Sequence, residues 1–418
     1  MLRRNWNWAH FALIVVVVLL SLSVVTAQDQ PKPEAVGLRP DAPPYALHGP
    51  YWVGVRDYSV PEGDTHFWVS VWYPALNPKG EAETITYVVS DERRLALSLP
   101  EDMKTPIFGH ALAKAEPDMQ SGPYPLVVYS PGLNMWRQEA SYLMEHLASQ
   151  GFVVMAMEHN GETLESMWGG AYYRPAETLL AIQYADQLTS ADGDLAGLID
   201  VDRLALMGIS SGGWTALVGA GARMDLSGCP IFESQAPGAS WTGDCQAFVP
   251  QQKEIASLFG MEAVPAALWP AYNDPRVDAL IAMAPDGDIW GADYQGVASV
   301  LVPTLVIASS ADSANVPEFS SYPIYEHLGS SSKARVVFAN ADHPIARDQC
   351  SATPWLVDIG IFWLCSDPVW DKNRAQDLVN HFTTAFLLDV LKGDKEAHAA
   401  LAPDAVSFPG ITYTAEGF

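Results

Sequence analysis

The run Gly208-Ile209-Ser210-Ser211-Gly212 constrains this chain more than any other part of its sequence. The apolar stretch at 203–207 is typical of a buried strand, and the apolar spacing after Gly212 predicts a helix. A serine on so sharp a turn is forced into an unfavourable backbone conformation, and glycines flank it because side chains would collide with the neighbouring strand and helix. The helix N-terminus behind the hydroxyl favours developing negative charge. The run therefore predicts a nucleophilic Ser210.

The first residues predict a targeting segment. Arg3 and Arg4 form a positive region, residues 11–25 an apolar core, and Val25-Thr26-Ala27 a small-residue cleavage site. Residues 1–27 are therefore predicted to be a signal peptide, and the protein to be secreted or periplasmic. Because the apolar stretch is short for a spanning helix, we expect no stable membrane anchor, with an uncleaved N-terminal anchor as the alternative.

Charge and composition narrow the classes of partner. The net charge of −26 argues against nucleic acid and anionic membrane surfaces, since both would repel the chain. The hydrophobic fraction of 49% and charged fraction of 17% allow a large packed core. We therefore expect a folded protein with no nucleic-acid partner.

The chain is predicted to hold one domain at 51–418 after a linker at 28–50. An antiparallel hairpin opens it, a long excursion follows at 77–124, and residues 225–275 read as an inserted cap. From Pro125 on, strands and helices alternate, which predicts an α/β fold with a mostly parallel central sheet flanked by helices. Strands are predicted at 126–130, 152–157, 204–209, 277–284, 304–308 and 335–339, and helices at 138–150, 176–191, 211–222 and 373–391.

Two further side chains complete a candidate catalytic set, because functional groups gather where parallel strands end. His343 follows a predicted strand on a loop that could reach the serine oxygen, so it is the expected general base. The expected acid is Asp312, after the strand at 304–308. Asp286 and Asp288 follow the preceding strand, and Asp-Gly-Asp also makes an ordinary turn.

Two backbone N–H groups are expected to stabilise an oxyanion. One belongs to Ser211, directly after the candidate nucleophile. The other is predicted in the loop Ser130-Pro131-Gly132-Leu133-Asn134, at Leu133, since proline has no N–H to donate.

The chain has four cysteines, which lie in two close pairs. In an exported chain the two close pairs favour disulfides Cys229–Cys245 and Cys350–Cys365, although four cysteines allow three connectivities.

His159 follows a strand without the ligand spacing of a metal site, so we expect no metal and a structural or pocket-lining histidine. Trp168, Trp290 and Trp363 could line an apolar pocket.

Several runs carry a resemblance to a known family: Val71–Pro74, Tyr124–Leu133, Leu147–Val154 and Glu158-His159. From about Trp72 to His343, the chain resembles the platelet-activating-factor acetylhydrolase and dienelactone-hydrolase-like branch of the α/β-hydrolase superfamily. The resemblance implies a Ser-His-Asp carboxylic-ester hydrolase without a cofactor. It departs at Pro131-Gly132, where the family has His-Gly.

The same resemblance leaves the acid open. In the acetylhydrolases proper the acid follows the strand before that of Asp312, which keeps Asp288 as the alternative acid. In dienelactone and polyester hydrolases it follows the strand matching that of Asp312.

The sequence therefore predicts a secreted serine hydrolase that cleaves short-chain acyl, small polyester or phospholipid acetyl-type esters through an acyl-enzyme. The alternatives are an exported lipase or peptidase of the same fold, or a non-catalytic binding member of it. The set Ser210, Asp312 and His343 speaks against a binding protein, which needs none of them.

Overall fold

A central sheet organises the chain. The structure, a computed structural model, describes residues 31–164, 170–235 and 243–418, so the predicted signal peptide lies outside the described residues. The strands are β1 (Trp52–Glu62), β2 (Thr65–Ala75), β3 (Ile85–Val88), β4 (Pro106–Gly109), β5 (Leu112–Ala113), β6 (Tyr124–Ser130), β7 (Val153–Met157), β8 (Ile199–Ile209), β9 (Val277–Met283), β10 (Thr304–Ser309), β11 (Lys333–Phe338) and β12 (Ile411–Glu416).

The sheet is mixed but mostly parallel in its centre. Among the described residues, ten strands pair in the order β12-β11-β10-β9-β8-β6-β7-β2-β1-β5, while β3 and β4 form a separate small sheet. The strands from β7 to β11 pair in parallel, the β1–β2 hairpin joins β7 antiparallel, and β12 is an antiparallel edge strand. This arrangement confirms the predicted fold class.

Helices cover both faces of the sheet. They are α1 (Asp91–Ala96), α2 (Ser141–Ser149), α3 (Arg174–Thr189), α4 (Ser211–Gly219), α5 (Cys229–Gln235), α6 (Gly243–Leu258), α7 (Ser321–His327), α8 (Pro354–Asp358), α9 (Lys372–Lys392) and α10 (Lys395–Ala400). Because successive strand side chains point to opposite faces, Leu126 and Val128 enter the core under α3 and α4, whereas Val127 enters the core under α2 and α9. Two buried cores result, one on each face.

Several predicted boundaries moved, and the strands β3, β4, β5 and β12 were not predicted. Helix α2 begins at Ser141 instead of 138 because the carboxylate of Asp348 accepts hydrogen bonds from the backbone N–H groups of Ser141 and Tyr142, at 3.2 Å each. Strand β8 begins five residues before the predicted strand at 204, at Ile199. The edge strand β12 was not predicted from the sequence, although it pairs with β11 over its whole length.

The predicted linker and the predicted insertion both contact the rest of the fold. In the predicted linker, the N–H groups of Leu38 and Arg39 donate to the carboxylate of Asp377 at 2.9 and 3.0 Å. In the predicted insertion, Phe248 of α6 packs against Trp214 of α4, with ring centroids 5.4 Å apart. Across the described ranges, no helix combines the length and apolar character needed to cross a membrane.

The chain order of the sheet reverses between β6 and β8. Strand β7 pairs on one side of β6 and β8 on the other, and the register places Ser130 beside Gly208 at the carboxyl ends. Such a reversal opens a crevice where loops from both strands meet. The candidate site residues lie at this edge of the sheet.

Candidate active site

Ser210 lies on the sharp turn between β8 and α4. Its backbone is in the left-handed region, with φ 57° and ψ −126°, a strained conformation for a residue with a side chain. A Cβ on Gly208 would lie 2.1 Å from the carbonyl oxygen of Gly212, and one on Gly212 would lie 1.9 Å from that of Ser130. The two glycines are therefore required by close backbone packing, as the sequence predicts.

His343 and Asp312 meet at the ends of β11 and β10. Nδ1 of His343 lies 3.0 and 2.9 Å from the two carboxylate oxygens of Asp312. Both residues are buried, and the N–H groups of Ala314 and Asn315 donate to Oδ1 of Asp312 at 3.0 and 2.7 Å. A carboxylate fixed in this way can orient an imidazole and stabilise its charged form.

Asp342, which has no assigned role in the sequence analysis, joins the loops that carry this pair. Its Oδ1 accepts hydrogen bonds from the backbone N–H of His343 at 2.7 Å and from the N–H and hydroxyl of Ser313 at 2.9 and 2.8 Å. Lys372 donates to the carbonyl oxygens of Pro344 and Ile345 at 2.8 Å each. These contacts fix the position of the histidine relative to the acid.

The two aspartates after β9 have different partners. Asp288 is fully buried, and its Oδ2 accepts the N–H of Cys245 in the insertion at 2.9 Å. Burial raises the pKa of Asp288 to about 8. Asp286 instead accepts the hydroxyl of Ser211 at 2.8 Å and the side-chain amide of Asn315, and burial raises the pKa of its carboxyl. Of these aspartates, Asp312 is the one that holds the histidine in this structure.

Ser210 and His343 line one cavity with a volume of about 590 Å³. Polar groups of Asn134, Ser211, Asp286, Asn315 and Arg347 also line it, and its remaining lining is apolar. None of the described residues of the 225–275 insertion belongs to this lining, so the role of that segment as a cap stays a prediction. Of the three tryptophans, Trp363 lines the cavity, Trp290 is buried in the core, and Trp168 lies outside the described residues.

The loop after β6 presents Leu133 to the same cavity. The N–H groups of the residues on either side of Leu133 have protein partners. The N–H of Gly132 donates to Glu139 at 2.6 Å, and the N–H of Asn134 donates to Glu162 at 2.7 Å. With no N–H on Pro131, the N–H of Leu133 stays the predicted oxyanion donor of this loop.

A buried ion pair lies behind that loop. Arg174 donates to both carboxylate oxygens of Glu162, and both side chains are fully buried. The same guanidinium donates to the carbonyl oxygens of Pro131 at 2.7 Å and Gly132 at 2.9 Å. Glu162 in turn accepts the N–H of Asn134. The ion pair therefore holds one N–H group and two carbonyl groups of the loop.

Two further contacts support the loop. Glu139 accepts the hydroxyl of Tyr129 at 2.8 Å and pairs with Arg347 at 3.2 Å. His159 lies between Ser130, whose hydroxyl is 2.8 Å from Nε2, and Glu177, which contacts Nδ1. Burial lowers the pKa of His159 well below its usual range. In the described ranges, no cluster of side chains suits a metal ion.

Two disulfides each close a short segment of the chain. They join Cys229 to Cys245 in the insertion and Cys350 to Cys365 after His343. The second closed segment contributes Trp355, Ile359, Ile361, Trp363 and Leu364 to the cavity lining.

Fold and site together define an α/β-hydrolase fold with a serine on a strained turn and a histidine paired with an acid. The chain belongs to the PET hydrolase-like family, whose family model matches residues 113–248 and 260–373, more than half of the chain. The family model for platelet-activating factor acetylhydrolase, isoform II, matches residues 45–168.

Two curated relatives are cutinases of Thermobifida alba. Cutinase est1 and cutinase est2 are each 35% identical to this chain over 107 residues, which is 26% of this chain. The match spans 34% of the length of cutinase est1 and 33% of cutinase est2, so about a third of each relative.

Proposed function

We propose that the protein cleaves carboxylic esters through an acyl-enzyme formed on Ser210. His343 takes the proton of the serine hydroxyl as it attacks the ester carbonyl, then gives that proton to the leaving alcohol. A water molecule then gives a proton to His343 as it attacks the acyl-enzyme. The serine oxygen takes that proton back when the carboxylic acid leaves. The observation that carries this assignment is the contact of His343 with Asp312 in a cavity that Ser210 also lines.

The oxyanion of each tetrahedral intermediate is bound by the N–H groups of Ser211 and Leu133. Both residues line the cavity, and the first stands at the N-terminus of α4. Donors fixed before the reaction stabilise charge that develops in the transition state. The hydrogen bonds that Arg174, Glu162 and Glu139 make with the loop after β6 hold it in place and support this role for Leu133.

The substrates proposed are short-chain acyl, small polyester and phospholipid acetyl-type esters, and the protein acts outside the cytoplasm. The names of the matched proteins, PET hydrolase and cutinase, support polyester units among them. The predicted signal peptide and the two disulfides support export.

The test compares two adjacent serines. Ser210→Ala is expected to abolish hydrolysis of p-nitrophenyl butyrate and labelling by a fluorophosphonate, while the circular dichroism spectrum stays unchanged. Ser211→Ala serves as the matched control and is expected to keep the label, because its catalytic group is the backbone N–H. Labelling that survived in Ser210→Ala would overturn the assignment.

A further inference from the structure

The segment closed by Cys350–Cys365 forms one wall of the active-site cavity. It contains α8 and a short 3-10 turn at Phe362–Leu364. A second wall is formed by Leu97 and Leu99 of the 77–124 excursion and by Leu164 in the loop after β7. The apolar lining therefore comes mainly from outside the sheet, in segments that the parallel strands do not fix.

Inside the closed segment, some side chains are buried in the core, whereas others are exposed at the mouth of the cavity. Trp355 and Leu356 are buried in the core, and the rings of Trp136 and Trp355 have centroids 5.1 Å apart. Ile359 and Trp363 line the cavity yet are 39% and 59% exposed, which places them at its mouth. The wall is thus anchored on its inner side and open to an incoming ligand on its outer side.

The chemistry of the lining restricts what can bind. The polar groups of the cavity belong to the nucleophile, its neighbours and the loops beside them, whereas the closed segment contributes five apolar side chains. Placing a charged group against such a wall would cost its hydration without a partner. A cavity of about 590 Å³ is large enough for a drug-sized ligand and is not limited to an acetyl group.

We propose that the disulfide-closed segment 350–365 determines substrate specificity and, among the proposed substrates, selects esters whose acyl group is large and apolar or aromatic over acetyl-type esters. This rests on the proposed function, since it assumes that Ser210 is the reacting group. Trp363 is the main specificity-determining side chain, and the disulfide limits the conformations open to the segment that carries it.

The first experiment compares neighbouring aromatic residues. Phe362 and Trp363 are 56% and 59% exposed, and of these two Trp363 lines the cavity. The values of kcat/KM are measured for p-nitrophenyl acetate, butyrate and octanoate. Trp363→Ala is expected to lower the octanoate-to-acetate ratio about tenfold, the size of effect that a few lost apolar contacts produce in a binding pocket. Phe362→Ala is expected to leave the ratio unchanged.

The second experiment compares the two disulfides. The double variant Cys350→Ser, Cys365→Ser is expected to lower the same ratio. The matched variant Cys229→Ser, Cys245→Ser is expected to keep it, because none of the described residues of its segment lines the cavity. The two closed segments have sequence separations of 15 and 16, so their loop-closure effects are alike.

The outcomes separate this proposal from the assignment of the reaction. Acetate hydrolysis that persists with an unchanged ratio in Trp363→Ala would overturn the specificity role. A wild-type protein with a higher kcat/KM for p-nitrophenyl acetate than for the octanoate would also overturn the specificity role. A wild-type protein that hydrolyses none of the esters and takes no fluorophosphonate label would instead overturn the proposed function. If the cysteine variant does not fold, Trp363→Ala decides the question, since its side chain is mostly solvent-exposed.

Discussion

Arg174 and Glu162 form a fully buried ion pair directly behind the loop that presents the N–H of Leu133. The pair makes no contact with solvent, and its guanidinium holds two carbonyl oxygens of the loop. Burying a charged pair is costly unless its hydrogen bonds are satisfied. Its position indicates that it holds in place the loop after β6, for whose Leu133 N–H we propose a role as oxyanion donor.

Replacing Arg174 should therefore slow the reaction more than it weakens substrate binding. Arg174→Lys keeps the charge but loses the planar fork that reaches Pro131 and Gly132 together. We expect kcat to fall by up to about 10²-fold, the lower end of the loss when an oxyanion donor is removed, with little change in KM. Steady-state kinetics on p-nitrophenyl butyrate check this.

The control for this variant is Arg276→Lys. Arg276 also pairs with a carboxylate, that of Asp274, but its side chain is 28% exposed and lies in a surface loop. Its kcat should match the wild type. A folded Arg174→Lys protein with unchanged kcat would contradict the positioning role.

Asp312→Asn should remove most of the activity. The variant would leave the imidazole of His343 without its stabilising charge and favour the wrong tautomer, a loss of about 10⁴ in kcat in the best-studied triad. Asp288→Asn should cost little, because that carboxyl contacts Cys245 in the insertion. Comparison of kcat for the two variants tests the assignment, and the reverse pattern would place the acid after β9.

The buried carboxyl of Glu145 should make stability fall as pH rises. Burial raises its pKa from 4.5 to about 8 in the folded protein. Between these two values the folded state binds the proton that the unfolded chain releases. The unfolding free energy therefore falls with rising pH over that interval, by at most about 1.4 kcal/mol per pH unit.

Glu145→Gln tests this directly. Glutamine keeps an oxygen acceptor for the hydroxyl of Tyr87 and the N–H of His110, which bind Glu145 at 2.7 and 2.8 Å. Urea unfolding at pH 5, 6.5 and 8 should show a smaller loss of stability in this variant than in the wild type. Glu262→Gln, at an exposed position, should behave like the wild type. Parallel pH curves for Glu145→Gln and the wild type would disprove the assignment.

Both disulfides should be present in the purified protein. Closing loops of this size stabilises a fold by about 3 kcal/mol in the chain-entropy model. Reduction should therefore increase hydrogen exchange in the insertion and in the segment after His343 before it affects the sheet. Peptide mapping without reductant checks the pairs, and free thiols or a Cys229–Cys365 peptide would refute them.

Much of this fold follows from local sequence pattern. The glycines around Ser210 are needed by the turn itself, so five consecutive residues are enough to predict it. Strand and helix periodicity predicts the parallel sheet, and the position of His343 after a strand places it at the correct edge. The strand β12 was missed because its side chains alternate between partial and full exposure, without the apolar run of a buried strand.

Which groups face one another was decided by the tertiary structure. The sequence left the acid open between Asp312 and Asp288, since both follow strands of the same sheet. In the folded chain the carboxylate of Asp288 accepts the N–H of Cys245, while that of Asp312 contacts His343. Glu139 and Arg347, far apart in sequence, meet only because their loops lie at one edge of the sheet. Local pattern specifies where strands and helices form, whereas the pairing of buried charges depends on which elements become neighbours.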